Sequence, residues 1–409
     1  MPALALHGGT PVRTTEYPAW PIADEREIAA VTAVIRSGQW GGYPEPGPHA
    51  ARFAAAFAAY HGAKYGICMT NGTVTLVTSL RAAGIGLGDE VIVPAYTFAA
   101  TASSVMEVGA IPVIVDIDPA NYCIDPQAVE AAITSRTRAI MPVHIGSLMA
   151  DMDAIMTLAA RHNLIVVEDC AHAHGAQWRG VGAGAIGDLG SFSMQSSKLL
   201  TAGEGGLVLT NDELLAEACH SLIDCGRPKG AGGRTARFGG NQRLSELQAA
   251  LLEVALTRLD AQTRAREENA ADLDEALSEI DGVRVLRRDP RQTRRAVYQY
   301  IVAIDPQVFG AGNSRVCDAL EAEGMPVWTG YEAMHDYALF RPAPAMHPTA
   351  AMFPDRFDFR DASFPVAERA AKHEAVWLHH SALLGDRAGI DDVVAAFRKV
   401  QQHAHELVE

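Results

Sequence analysis

The chain has 409 residues, 48% of them apolar and 20% charged, which at roughly 100–200 residues per domain predicts two or more folded domains and excludes a peptide hormone, a zipper or a lone binding module. Against 34 Lys and Arg residues stand 49 Asp and Glu residues, a net charge of −15 that repels a phosphate backbone and argues against nucleic acid as a partner. No stretch approaches the roughly 18 consecutive apolar residues of a membrane span, and no signal segment opens the chain, so the expectation is a cytoplasmic protein with no membrane partner.

From about residue 64 to 223, apolar runs at 65–70, 91–95, 111–117, 139–143, 164–169, 190–194 and 206–210 alternate with helical spacing at 74–83, 128–133 and 152–162. Unbroken apolar runs separated by helices predict a mostly parallel sheet covered on both faces, a three-layer α/β domain. After residue 221, Gly226, Gly230, Gly232, Gly233, Gly239 and Gly240 with Arg227, Lys229, Arg234 and Arg237 predict a basic loop. Residues 244–280 then place Leu247, Leu251, Val254 and Leu259 between charges, the pattern of one long amphipathic helix, or two in series, able to bridge two domains. Strands at 283–286 and 297–304 and helices at 315–323 and 391–403 predict a smaller α+β domain, while 340–359 is rich in Pro, Met and Phe and has no period. The expected division is residues 1–255 for the large α/β domain with an N-terminal arm and 256–409 for the small C-terminal domain. Six cysteines without C-x-x-C spacing read as reduced packing thiols, and no metal site is expected.

Chemistry is expected beyond the carboxyl ends of the strands, where ligands bind open α/β sheets. The run 164–167 leads straight into Glu168-Asp169-Cys170-Ala171-His172. A carboxylate at Asp169 could bind a metal, act as a base, hold the protonated nitrogen of an aromatic cofactor, or merely cap a helix. Lys198 follows small hydroxyl residues and precedes Thr201-Ala202-Gly203-Glu204-Gly205-Gly206, a setting that lets an amine approach a cofactor with little obstruction, although a loop lysine is also an ordinary solvated charge. The Asn71-Gly72-Thr73 turn between a strand and a helix offers N–H groups and a hydroxyl to a phosphate. Tyr96, at the end of the next strand, could stack on a flat ring or fill the core. A phosphate turn, an aromatic, a carboxylate, an imidazole and a lysine, each near a strand end, are the set that pyridoxal phosphate requires.

Thr70-Asn71-Gly72-Thr73, Gly88-Asp89-Glu90-Val91-Ile92-Val93-Pro94, the 168–172 and 193–198 segments with the trailing Thr-Ala-Gly-Glu-Gly-Gly, and Arg243-Leu244-Ser245-Glu246-Leu247-Gln248-Ala249-Ala250 resemble the DegT/DnrJ/EryC1/StrS sugar aminotransferase family along nearly the whole chain. The resemblance implies the aspartate aminotransferase type I fold and a homodimer with pyridoxal 5′-phosphate at the subunit interface. It also implies that Lys198 is the Schiff-base lysine and later the acid/base, and that Asp169 pairs with the pyridine nitrogen. His172 would contact the ring hydroxyl and Tyr96 stack on the ring. Gly72, Thr73 and Ser193 would bind the phosphate, and Asn241 would reach the phosphate of the neighbouring subunit, although the residue after Asn241 is Gln242 where an aromatic is common.

The implied reaction moves an amino group from L-glutamine or L-glutamate to a ketone by ping-pong kinetics. Met141-Pro142-Val143-His144, the 148–153 segment and Trp377-Leu378-His379-His380 are similar to two branches of the family, the glutamine:scyllo-inosose aminotransferases and the 3-amino-5-hydroxybenzoate synthases. The 364–370 and 121–126 segments favour a keto-cyclitol or keto-sugar acceptor, and Cys225-Gly226-Arg227-Pro228 favours the aromatising branch. His379 and His380 are candidate polyol ligands or core histidines, and the basic loop is a candidate entrance for an anionic substrate or an ordinary solvated loop. Two readings of other classes are a non-catalytic pyridoxal-phosphate protein, which Lys198 and Asp169 together oppose, and a dinucleotide oxidoreductase, which lacks a G-x-G-x-x-G turn.

Overall fold

A computed structural model describes residues 3–43, 45–228, 237–340, 347–359 and 362–407. Lys229 and Arg234 of the expected basic loop, with Gly230, Gly232 and Gly233, and residues 341–346 of the period-free stretch, lie outside the described residues.

Each of the seven apolar runs forms a strand: β1 Tyr65–Met69, β2 Glu90–Pro94, β3 Ile111–Val115, β4 Thr137–Ile140, β5 Ile165–Asp169, β6 Leu189–Ser193 and β7 Gly206–Thr210. They join in one sheet in the order β1-β7-β6-β5-β4-β2-β3, parallel throughout except for β7, which runs antiparallel to both neighbours. The run expected to continue to residue 117 leaves the strand after Val115. There the Asp116 carboxylate accepts the N–H groups of Val366 (3.0 Å) and Ala367 (3.0 Å), so its side chain caps the start of the helix Pro365–Arg369.

The 244–280 segment is a single helix, Glu246–Ser278, begun by the Ser245 hydroxyl, which accepts the Gln248 N–H. Its buried side chains are not all the expected ones. Ala249, Ala250, Leu252 and Leu259 are buried, whereas Leu247, Leu251 and Val254 are half-buried, because the small alanines bring the helix close along a stripe offset from the bulky one. Ala249, Leu252 and Leu259 belong to the core of the large sheet, and Ala270, Leu273 and Leu277 to a second core. The boundary expected at 255/256 therefore falls inside an unbroken helix that serves both cores.

The second core lies over a four-stranded antiparallel sheet of β8 Val283–Val285, β9 Gln299–Ile304, β10 Val327–Trp328 and β11 Ala375–His379, in the order β8-β9-β11-β10. Helices Asn313–Ala322 and Arg387–Gln402 cover it. The N-terminal arm, grouped with residues 1–255 in the expected division, packs here instead. Leu4 is wholly buried in this core, and the N–H groups of Ala5 and Val12 each donate to the buried Glu323 carboxylate at 2.9 Å.

Candidate active site

The carboxyl ends of β1, β2, β5 and β6 converge on a cavity of about 600 Å³. After β1, the Asn71 side chain accepts the Val74 N–H (2.9 Å) and starts the helix Gly72–Ala82, so that Gly72 and Thr73 present the first turn of the helix to the cavity. That turn is an anion site by construction, since its first N–H groups have no partner within the helix. Ser193 at the end of β6 forms the facing wall, and a Cβ added to Gly72 would lie 2.6 Å from the Ser193 Cβ. Only glycine leaves this cradle open. From behind, the neutral ring of His174 hydrogen-bonds the Ser193 carbonyl at 2.8 Å, and burial lowers the pKa of that histidine to about 3.

Asp169 ends β5 on the cavity floor and is 5% exposed. Its carboxylate accepts the Thr101 hydroxyl (2.9 Å) and the Ala171 N–H (3.2 Å). Burial raises its pKa above the usual carboxylate range, against the opposing pull of those two donors and of Lys198. His172 accepts the Gly146 N–H through Nδ1 at 3.1 Å, so its proton sits on Nε2, which faces the Tyr331 hydroxyl at 3.2 Å. Burial first, and then the charge of Lys198, holds this imidazole neutral with its pKa well below the ordinary value. Lys198 extends over the Tyr298 ring with Nζ 4.3 Å from the centroid, a cation–π contact that orients the amine. Its N–H donates to the Gln195 carbonyl at 2.9 Å.

Of the residues singled out in the sequence, Gly72, Thr73, Asp169, His172, Ser193 and Lys198 line one cavity. Tyr96 does not. It is wholly buried, its hydroxyl accepts the Trp377 indole N–H at 3.0 Å, and it bridges Ala333 of the C-terminal part. The aromatic that faces the cavity from this segment is Phe98, 56% exposed. The strand ends at Pro94, so side-chain alternation no longer applies two and four residues later, and the bridge to Ala333 draws Tyr96 under the small sheet. Asn241 is exposed and lies outside the cavity lining of its own chain. His379 and His380 are also outside the lining, and Arg227 pairs with Asp224 at 2.7 Å. Thr101, Phe98, Tyr298 and Tyr331 were missed in the sequence. Phe98 and Thr101 lie within five residues of the singled-out Tyr96, but nothing in the local pattern marks Tyr298 or Tyr331, which reach the cavity from the C-terminal part.

Two neighbouring features that invite a functional reading are structural. Glu168 accepts the N–H groups of Gly184, Ile186 and Gly187 and the His144 ring N–H, so the buried His144, Glu168 and Cys170 cluster has its carboxylate fully engaged. Glu246 accepts the N–H groups of His49 and Ala50 and caps the helix Pro48–His61.

The DegT/DnrJ/EryC1/StrS aminotransferase family model matches residues 21–398. An L-glutamine:2-deoxy-scyllo-inosose aminotransferase of Streptomyces fradiae is 43% identical, with 99% of each chain covered. A Streptoalloteichus tenebrarius protein, named provisionally as an L-glutamine:3-amino-2,3-dideoxy-scyllo-inosose aminotransferase, is 44% identical, again with 99% of each chain covered. Among solved structures, 3-amino-5-hydroxybenzoic acid (AHBA) synthase superposes with a TM-score of 0.84 at 34% identity, covering 96% of this chain and 100% of that one. The chain belongs to the DegT/DnrJ/EryC1/StrS aminotransferase family. It is a transaminase, and its large, mostly parallel sheet followed by a smaller α+β part is the expected aspartate aminotransferase type I architecture.

Proposed function

Starting from that membership, we propose that this transaminase works with pyridoxal 5′-phosphate and moves the amino group of L-glutamine or L-glutamate to a keto-cyclitol of the scyllo-inosose type, within a homodimer whose sites are shared. The observation that carries the reading is the placement of an amine, a buried carboxylate and a helix N-terminus on three walls of one cavity. The donor set fits the cofactor. The open cradle of Gly72, Thr73 and Ser193 suits a phosphate, and Phe98 offers an aromatic face. Asp169 lines the cavity, and Thr101 is the one side chain among the described residues that hydrogen-bonds its carboxylate, which suits a protonated ring nitrogen.

The cofactor supplies an electron sink for the pair left behind when the donor's Cα–H bond breaks. The chain supplies the rest. The Lys198 amine would take the Cα proton and return it to the carbon on the far side of the transferred nitrogen. Asp169, steadied by Thr101 and Ala171, would hold a proton on the ring nitrogen. His172, with Nδ1 occupied by Gly146, keeps its Nε2–H, which faces the Tyr331 hydroxyl, as the donor it would offer the ring.

Lys198 is the only cationic side chain among the described residues that line the cavity. A donor carboxylate then needs a partner from beyond this wall, and the exposed Asn241, outside its own cavity, suits service to the second protomer. The cyclitol acceptor is favoured over an aromatising amination because the inosose-directed relatives exceed 40% identity over 99% of the chain, against 34% for AHBA synthase. The test loads the purified protein with pyridoxal phosphate, adds L-glutamine, and then offers 2-deoxy-scyllo-inosose, a nucleotide-linked keto-sugar or an aminodehydroshikimate-type ketone separately. The reading expects loss of the visible absorbance with glutamine and its return only with the inosose. Return with the aminodehydroshikimate-type ketone alone would assign the aromatising branch instead, and no response to glutamine or, offered in its place, to glutamate would refute both.

A further inference from the structure

Behind the Lys198 loop lies a buried cation that no carboxylate among the described residues neutralises. Arg266, on the helix Glu246–Ser278, is wholly buried. Among the described residues its one hydrogen bond runs from Nη2 to His380 Nδ1 at 3.1 Å, while Nε and Nη1 have no partner. Burial alone lowers its pKa to about 9, so it remains charged at neutral pH. A buried charge without a counter-ion is costly, and its retention calls for a reason.

The hydrogen-bond chemistry supplies one. A guanidinium only donates, so His380 Nδ1 must accept, the ring proton must sit on Nε2, and Nε2–H must donate to the Ser197 carbonyl, which it meets at 3.0 Å. The arginine thereby selects the histidine tautomer that grips the peptide immediately before Lys198. The rest of that loop is already tied. The Ser197 N–H and hydroxyl both donate to Gln195 Oε1 at 2.8 Å, and the Ser197 oxygen meets the Tyr298 hydroxyl at 2.8 Å. His380 takes the remaining polar group of the residue, its carbonyl. Trp20 of the N-terminal arm closes the assembly, its ring edge-on to His380 at 4.6 Å and 5.0 Å from the Arg266 guanidinium carbon.

We propose that Arg266 and His380 are positioning residues, which hold the Ser197–Lys198 peptide and so set where the Lys198 amine stands over Tyr298. The inference rests on the reading of Lys198 as the reacting lysine. It also assigns His380 a role other than binding the polyol.

The test uses full-length His380→Phe, which keeps a ring but loses both bonds, Arg266→Met, and Arg266→Lys, which restores a donor. Two readouts are taken. One is kcat and KM for the glutamine half-reaction. The other is the acetylation rate of Lys198 in the cofactor-free protein, measured by peptide mass spectrometry against the exposed Lys372. A displacement of the amine on the order of 1 Å lowers kcat by about 10–100-fold. His380→Phe and Arg266→Met are expected to show that loss with KM nearly unchanged and with altered Lys198 labelling, and Arg266→Lys to recover most of both. Folded variants with wild-type kcat and labelling overturn the proposal, as does a change in KM alone, which would make His380 a substrate ligand. Failure of both disruptive variants to fold would mark the pair as merely structural and overturn it as well. If the wild-type enzyme transfers no amino group, the functional reading fails separately, while the labelling still decides whether the pair positions Lys198.

Discussion

The Asp169 carboxylate depends on a neighbour that the sequence did not single out, and Thr101→Val isolates that dependence. The substitution keeps the side-chain shape and removes the hydroxyl that donates to Asp169 Oδ2 at 2.9 Å from a wholly buried position. A hydrogen bond to a charged group contributes about 1.5–3 kcal/mol. The lost hydroxyl also lies 3.1 Å from the Thr97 hydroxyl, which is left without that partner. The loss raises further the pKa of a carboxyl already raised by burial. The sign follows from linkage. A carboxyl whose folded pKa is raised stabilises the fold when protonated and loses that contribution as pH climbs through the folded pKa, and Thr101→Val enlarges the loss. Urea unfolding of the cofactor-free protein is therefore expected to show the variant about 1.5–3 kcal/mol less stable near about pH 8. The gap should shrink as the pH is lowered toward about 4 and the carboxyl of each protein takes up its proton. A gap of equal size at the two pH values, or one below about 0.5 kcal/mol at the higher, would refute the charge-assisted bond as the support of Asp169.

Lys198→Ala is expected to fold and to lose all transamination, and Asn241→Ala to lose cofactor affinity; mixed heterodimers of the two should recover part of the activity, so their complete inactivity would tell against a shared site. Phe98→Ala should weaken pyridoxal phosphate binding by about tenfold, on the scale of an aromatic stacking contact of roughly 0.5–1.5 kcal/mol. Tyr96→Phe should cost about 1 kcal/mol of stability through the lost Trp377 bond; an unchanged urea midpoint would refute that bond. His61 and His174 are buried neutral, with pKa values lowered from 6.5 to about 4 and about 3 by burial. Their contribution to stability is complete above the unfolded value and is lost as pH falls from 6.5 toward 4, at up to about 1.4 kcal/mol per unit for each. A melting temperature that stays flat across that interval would contradict their buried neutral state.

The seven strands of the large sheet were legible because parallel strands buried on both faces read as unbroken apolar runs, and all seven end within three residues of the run that announced them. Lys198, Asp169, Gly72, Thr73 and Ser193 were legible for a related reason, since each lies at or just beyond the carboxyl end of such a strand. Periodicity failed as a guide where a strand ended. Past Pro94 the alternation that would orient Tyr96 no longer holds, and the contact with Ala333 buries it while Phe98 faces the cavity. It failed also for the long helix, where Ala249 and Leu252, not Leu247 and Leu251, face the core. The motif residues Glu168 and Glu246 bind backbone N–H groups, so their place in a recognisable pattern reflects the fold and not the reaction.

The sequence by itself determined the α/β architecture through local periodicity, the family through its motifs, and, from residues adjacent to strand ends, the pair Lys198 and Asp169 that one cavity brings together. Only the tertiary structure decided what surrounds that pair. Thr101 comes to Asp169 across 68 residues, Tyr298 to Ser197 across 101 and Arg266 to His380 across 114. Each of these contacts joins chain segments that carry no sign of the other, and only the packing of the two cores along one shared helix brings them within hydrogen-bonding distance.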